Sequence, residues 1–198
     1  MKTSIKTLIT LLCAATTLTV IHPNNLRAAE NNSMIFQKIQ DFRKIVIRGN
    51  IEVTLVQQPK IGISYTNDNQ GKVKVTQQGE VLNIINADTE KCKLIVYISD
   101  IYRIEANENA IVKTEARLST KFLQIILKDN AIADIETSSE GLYTEILDNS
   151  TLKLKGNTNH HALVMGKAPS LIIDGFASVQ TEVRRVEIPK EEITALVP

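Results

Sequence analysis

Asn107-Glu108-Asn109-Ala110, Lys128-Asp129-Asn130-Ala131 and Leu147-Asp148-Asn149-Ser150 are one motif written three times. Each sets an acid, an asparagine and a small residue in that order. Each is followed by a short strand-like run, at 111–115, 132–136 and 151–155, and preceded by another, at 102–105, 122–127 and 143–146. The asparagines recur at Asn109, Asn130 and Asn149. A period near twenty, with short strands on both sides of a fixed corner, predicts a β-solenoid in which each coil buries its inner face against the next. Asparagine suits the corner because it tolerates the left-handed conformation and bonds its own backbone. Asn109, Asn130 and Asn149 are therefore the expected structural corner residues, and the alanine or serine beside each lets coils approach closely. A meandering sandwich with hairpins of similar length is the alternative.

Working outward, the motif fades at Gly166-Lys167-Ala168-Pro169, but the strand rhythm continues at 162–165 and 171–174. Upstream, apolar and polar residues alternate: Ile51, Val53 and Leu55 against Glu52 and Thr54, and likewise Leu94, Val96 and Ile98. This is the period of a half-buried strand, and β-branched residues dominate it. Turn residues interrupt at Gly49-Asn50, Gln58-Pro59, Asn67-Asp68-Asn69 and Gln78-Gly79. Only 33–41 suits a short helix or an entry strand. The expected fold class is all-β, with a longer-stranded β cap region at about 36–100 and solenoid repeats at about 101–188. One core should run through both, because no linker rich in Pro, Gly or Ser separates them.

The amino terminus has a different character. Lys2 and Lys6 precede the apolar run 8–21, and the small pair Ala28-Ala29 follows. Basic, apolar, then small is the order of a secretory signal, and the run is short for a membrane span. Residues 1–29 are expected to be a signal peptide and 30–198 a single all-β domain, exported to the periplasm, the outer surface or the medium, with no membrane span after cleavage. Cys13 follows Leu12, where a lipoprotein signal needs a small residue, so it reads as part of the apolar run. Removal of 1–29 leaves Cys92 alone, which excludes an internal disulfide.

Of the 198 residues, 43% are hydrophobic, 23% charged and 4% aromatic, with no Trp and a formal net charge of +1. That composition is globular and carries no field suited to nucleic acid. No catalytic, cofactor-binding or metal-binding residue is expected. His160 and His161 are adjacent, so on a strand they face opposite ways and do not share a metal. Glu108, Asp129 and Asp148 would stack about 4.8 Å apart if coils stack. A row of carboxylates suits a hard cation, but solvated corner acids are the stronger reading. Cys92 begins an apolar strand and reads as a small strand residue. Tyr97, Tyr102, Phe122, Tyr143 and Phe176 are candidates for a sugar-stacking platform, against a structural role as ring ladders.

Three features together resemble the bacterial head GIN domain family, described as autotransporter adhesin heads. They are the strand pair around a glycine at 42–55, the turn and strand Gly79-Glu80-Val81-Leu82-Asn83-Ile84, and the repeated strand-corner-strand unit after residue 100. The family often has glycine where this chain has Asn109, Asn130 and Asn149. The resemblance covers most of 36–188. It implies an exported, mainly β, solenoid-like protein and supplies no catalytic residues.

The function expected from these readings is a non-enzymatic envelope protein, a surface-interaction or adhesin-like module. A cell-surface glycan or an envelope protein fits as partner, though the sequence identifies neither. The alternatives are a carbohydrate-active enzyme on a β-helix and a periplasmic structural or sensing accessory protein.

Overall fold

The structure, a computed structural model, describes residues 35–65 and 73–186. The expected signal peptide and Cys13 lie outside the described residues, as does the turn at 67–69. All described residues fall within one compact unit, Asn32–Pro198.

The described chain is all-β, and its strands form one strongly curled, half-barrel-like mixed sheet. The strands are β1 (Ile35–Gln37), β2 (Lys44–Gly49), β3 (Ile51–Gln57), β4 (Gly62–Tyr65), β5 (Lys74–Gln78), β6 (Val81–Asn86) and β7 (Cys92–Ile98). There follow β8 (Arg103–Asn107), β9 (Ile111–Thr114), β10 (Leu118–Leu127), β11 (Ile132–Ile146), β12 (Thr151–Met165) and β13 (Ser170–Arg185). The segment 33–41, open between helix and strand in the sequence, supplies β1.

The repeat period becomes parallel register. Ile111 pairs with Ile132, and Ile132 with Thr151, so each strand lies beside the segment one repeat further along the chain. Leu118 pairs with Thr137, and Thr151 with Ser170, again one repeat apart. The last three strands are longer than the sequence pattern suggests, at 15, 15 and 16 residues. They continue past Ser139 and Thr158, where the pairing skips Glu140 and Asn159 and the buried positions change phase, although no turn motif is written.

Parallel pairing places like residues above like. Ile45, Ile104, Ile125, Thr144 and Leu163 form one inward column, and Val53, Val112, Ala133 and Leu152 another. All of these are buried, and one apolar cluster runs from Phe42 to Leu163. Each fully buried Ile or Leu contributes about 1.5–3 kcal/mol. The inward face of β10 is Leu123, Ile125 and Leu127, each at most 1% exposed, as its alternation predicts.

Order in space departs from order in sequence. The hairpin-like unit β2–β3 is inserted between β6–β7 and β8–β9, with β2 parallel to both β6 and β8 and β3 parallel to both β7 and β9. Antiparallel β5 lies on β6, β4 on β7, and β1 on β4. This corrects the expectation of a longer-stranded first half: its strands have three to seven residues against ten to sixteen in β10–β13, because the late strands run on without a turn. The first half contributes parallel layers of its own and an antiparallel edge.

Candidate functional site

The corners come first, because they hold the layers in register. Among the described residues, the non-glycine residues with positive φ are Glu108 (60°), Asp129 (59°) and Asp148 (54°). This corrects the expectation for Asn109, Asn130 and Asn149: the left-handed residue is the acid before each asparagine. The Ala131 N–H donates to the Lys128 carbonyl at 3.1 Å, and the Ser150 N–H to the Leu147 carbonyl at 3.1 Å. With positive φ at the first central residue only, these are turns of the II′ kind, a form that favours glycine there. Gly49 (φ 91°) stands at the same level of the stack, since Arg48 is in register with Asn107. Gly49-Asn50, Glu108-Asn109, Asp129-Asn130 and Asp148-Asn149 are therefore one row of corners. The first escaped the sequence pattern because several strands of intervening chain separate it from the second.

The acids do more than meet solvent. The Glu108 N–H donates to Asp129 Oδ2 at 2.9 Å, and the Asp129 N–H donates to Asp148 Oδ2 at 3.0 Å. The Asp129 and Asp148 carboxylates each satisfy the backbone of the corner before them, and charge-assisted bonds of this kind are stronger than neutral ones. Asn130 Nδ2 reaches Asn109 Oδ1 at 3.4 Å, and the Asn130 N–H donates to the Glu108 carbonyl at 3.0 Å. Behind them Ala110, Ala131 and Ser150 are fully buried, as close approach of layers requires.

The two histidines part company. His161 is buried, its Nε2 2.8 Å from Thr144 Oγ1 and its ring edge-on to Phe176 at 5.4 Å, while His160 is exposed. Burial lowers the pKa of His161. Among the described residues, no three His, Cys, Asp or Glu side chains group as a metal set. Cys92 is buried.

The five aromatics are not assembled into one platform. Tyr102 lies under the Arg43 guanidinium at 5.5 Å, Tyr143 donates to Glu145 at 2.8 Å, and Phe176 packs on His161. Burial, then the Glu145 bond, raises the pKa of Tyr143. Phe122 differs in being 56% exposed, with Lys121 Nζ 5.6 Å from its ring centre.

A shallow groove of about 600 Å³ crosses the long strands, lined by Asp100, Ser119, Lys121, Ser138, Glu140 and Asn157 among others. Phe122 is not a lining residue but follows Lys121 in the chain, and its register partner Gly141 follows Glu140. Sequence reasoning found Phe122 but missed the groove, because its polar residues come from three separate repeats and follow no motif. Outward charges pair across neighbouring layers: Lys113–Glu52 at 2.8 Å, Arg117–Glu136 at 2.9 Å and Lys121–Glu140 at 3.9 Å. The Lys113 bond lowers the pKa of Glu52.

This fold is shared with known structures. A "putative adhesin" from Bacteroides fragilis is 18% identical, with a TM-score of 0.67 over 77% of this chain and 75% of that one. A "putative adhesin" from Parabacteroides distasonis is 12% identical, with a TM-score of 0.59 over 77% of each chain. Another from Parabacteroides merdae is 15% identical, with a TM-score of 0.54 over 77% of each. No curated protein matches the chain. Residues 41–185 match the family described as "Putative auto-transporter adhesin, head GIN domain". The strand pair around Gly49 and the repeated corners thus lie inside the match, and the chain belongs to the head GIN domain family.

Proposed function

We propose that this chain is an exported, non-enzymatic surface-interaction module, adhesin-like, whose parallel layers are the coils of a short β-solenoid. The observation that carries the reading is membership of a family described as adhesin heads, over 41–185. The coil reading is supported by the one-repeat offset between neighbouring parallel strands. Export is supported by the basic, apolar and small-residue order of 1–29, removed to leave 30–198 as the mature domain. The corner asparagines Asn109, Asn130 and Asn149 then serve the stack, beside the acids that carry its strained backbone.

Beads coated with the purified protein, compared with albumin-coated beads on epithelial cells and on immobilised matrix glycoproteins, test the reading. Specific, saturable adhesion to either surface is expected. Adhesion no greater than that of albumin on both surfaces would overturn the adhesin reading. Release of new reducing ends from polysaccharide by the purified protein would overturn the non-enzymatic one.

A further inference from the structure

We propose that the groove across β10, β11 and β12 binds an extended chain of neutral pyranose sugars, with the Phe122 ring, which flanks the groove beside Lys121, as its stacking surface. The proposal rests on the adhesin reading and names its ligand class.

The groove is built from rows. Ser119, Ser138 and Asn157 are in register on three neighbouring strands, and Thr120, Ser139 and Thr158 form the row beside them. Neighbouring strands lie about 4.8 Å apart. The polar groups therefore repeat along the stack at a spacing close to the advance per unit of an extended sugar chain. Hydroxyl and amide groups both donate and accept, as sugar hydroxyls do. The inner row is already organised: Ser139 Oγ donates to Thr158 Oγ1 at 3.1 Å, and Thr120 Oγ1 donates to the Ile101 carbonyl at 3.1 Å. The outer row faces the groove.

Phe122 supplies the apolar half. It is in register with Gly141 on the next strand and, through it, with the exposed His160. Gly141 is not among the residues with positive φ, so its backbone does not demand glycine. A Cβ at 141 would come within 2.9 Å of Phe122 Cδ1 and 3.2 Å of Cε1. The missing side chain is the seat of the ring, which rests on the backbone of β11 with more than half of its residue open to solvent. Glycine inside a strand commonly marks such a close approach. A pyranose ring has an apolar C–H face and a polar rim, the same division as an exposed ring beside rows of hydroxyls and amides.

Charge selects among sugars. Asp100, Glu140 and Lys121 line the groove, and its charges are paired, Arg43 with Asp100 at 3.1 Å and Lys121 with Glu140 at 3.9 Å. Paired charges with no basic track disfavour sulfated or uronate-rich polymers and nucleic acid, which need surplus positive charge. The polar lining likewise disfavours an apolar peptide or a lipid chain.

Calorimetric titration of the full chain with cellohexaose, chitohexaose, mannohexaose and laminarihexaose tests the site, with heparin and phosphatidylcholine vesicles as the other arms. Binding of at least one neutral hexasaccharide is expected. Phe122→Ala should weaken it at least tenfold, Phe122→Tyr should restore most of it, and Asn157→Ala should weaken it severalfold. Ile132→Thr, on an exposed face away from the groove, should leave it unchanged. Thermal melts establish that each variant is folded. Failure of all four sugars to bind, binding of heparin or vesicles alone, or equal affinity in wild type and Phe122→Ala would overturn the proposal. If coated beads adhere while Phe122→Ala beads adhere equally well, the groove is wrong and the adhesin reading survives. If a hexasaccharide binds through Phe122 while beads do not adhere, the groove stands and the adhesin reading falls.

Discussion

The backbone N–H of Glu108 donates to the carboxylate of Asp129, one repeat further along the chain, at 2.9 Å. Both residues have φ near +60°. A left-handed acid is costly by itself, of order 1–3 kcal/mol for a non-glycine residue, and the bond to the preceding layer offsets that cost. The acid therefore has two roles, conformational and bonding, and substitutions can separate them.

Asp129→Asn keeps an amide oxygen as acceptor and a residue tolerant of positive φ. It should change stability by no more than about 0.5 kcal/mol. Asp129→Val loses both roles and should cost about 2–4 kcal/mol, from strain of about 1–3 kcal/mol and a lost bond of about 1 kcal/mol. Asn130→Val should cost less than Asp129→Val, because Asn130 lacks the positive φ. Urea denaturation of the three variants checks the order, and a costlier Asn130→Val would return the left-handed role to the asparagine.

Two glycines are fixed by space as well as by φ. A Cβ on Gly156 (φ 98°) would run into the Thr137 carbonyl oxygen, and one on Gly49 (φ 91°) into that of Asn86. Gly156→Ala and Gly49→Ala should each cost about 2–5 kcal/mol, from backbone strain together with overpacking. Gly79 also has positive φ (56°) but has nothing within 4 Å of its Cβ position. Gly79→Asn should therefore stay within about 1 kcal/mol of wild type, since asparagine enters this region readily. Equal losses in the three variants would contradict the packing shown at Gly49 and Gly156.

The inward column is tested by truncation. Ile125 is fully buried, whereas the Lys121 side chain is 68% exposed. Ile125→Ala should cost about 2–5 kcal/mol, and Lys121→Ala no more than about 0.5 kcal/mol. Similar shifts in the denaturation midpoint would place Ile125 outside the core.

His161 gives the fold a pH dependence. Burial lowers its pKa from the usual 6.5, so below pH 6.5 the unfolded chain takes up a proton that the folded chain resists. Stability is intact above that value and falls as pH drops toward the lowered pKa. Between pH 7.5 and 5.5 the wild type should lose stability faster than His161→Leu. A wild-type slope no steeper than that of His161→Leu would exclude the buried imidazole as its source.

Much of this architecture was legible in local pattern. Alternation around Val53, Leu94 and Ile125 marks strands and their inner faces because the period of two is set by the pleat. The acid-Asn-small corners mark the layers because a left-handed turn demands particular residues. The pattern did not say which corner residue is left-handed, since aspartate and asparagine both tolerate that conformation. It also missed the placement of β2–β3 between β6–β7 and β8–β9, because pairing between segments far apart in the chain leaves no periodic trace. The groove beside Phe122 was illegible for a similar reason: Ser119, Ser138 and Asn157 become neighbours only through register.

Register is the central claim, and a cysteine pair tests it most directly. Ile132 and Thr151 are parallel partners on the outward face of β11 and β12, and neighbouring strands at about 4.8 Å place their Cα atoms within disulfide range. Thr151 to Lys153 is two positions along β12, an advance of about 6.6 Å, which takes the Ile132–Lys153 pair beyond the roughly 7 Å limit. In a chain with Cys13→Ser, Ile132→Cys/Thr151→Cys should oxidise to an intramolecular disulfide and raise the melting temperature, and Ile132→Cys/Lys153→Cys should not. Closure of the Lys153 pair with failure of the Thr151 pair would contradict a parallel register of one repeat.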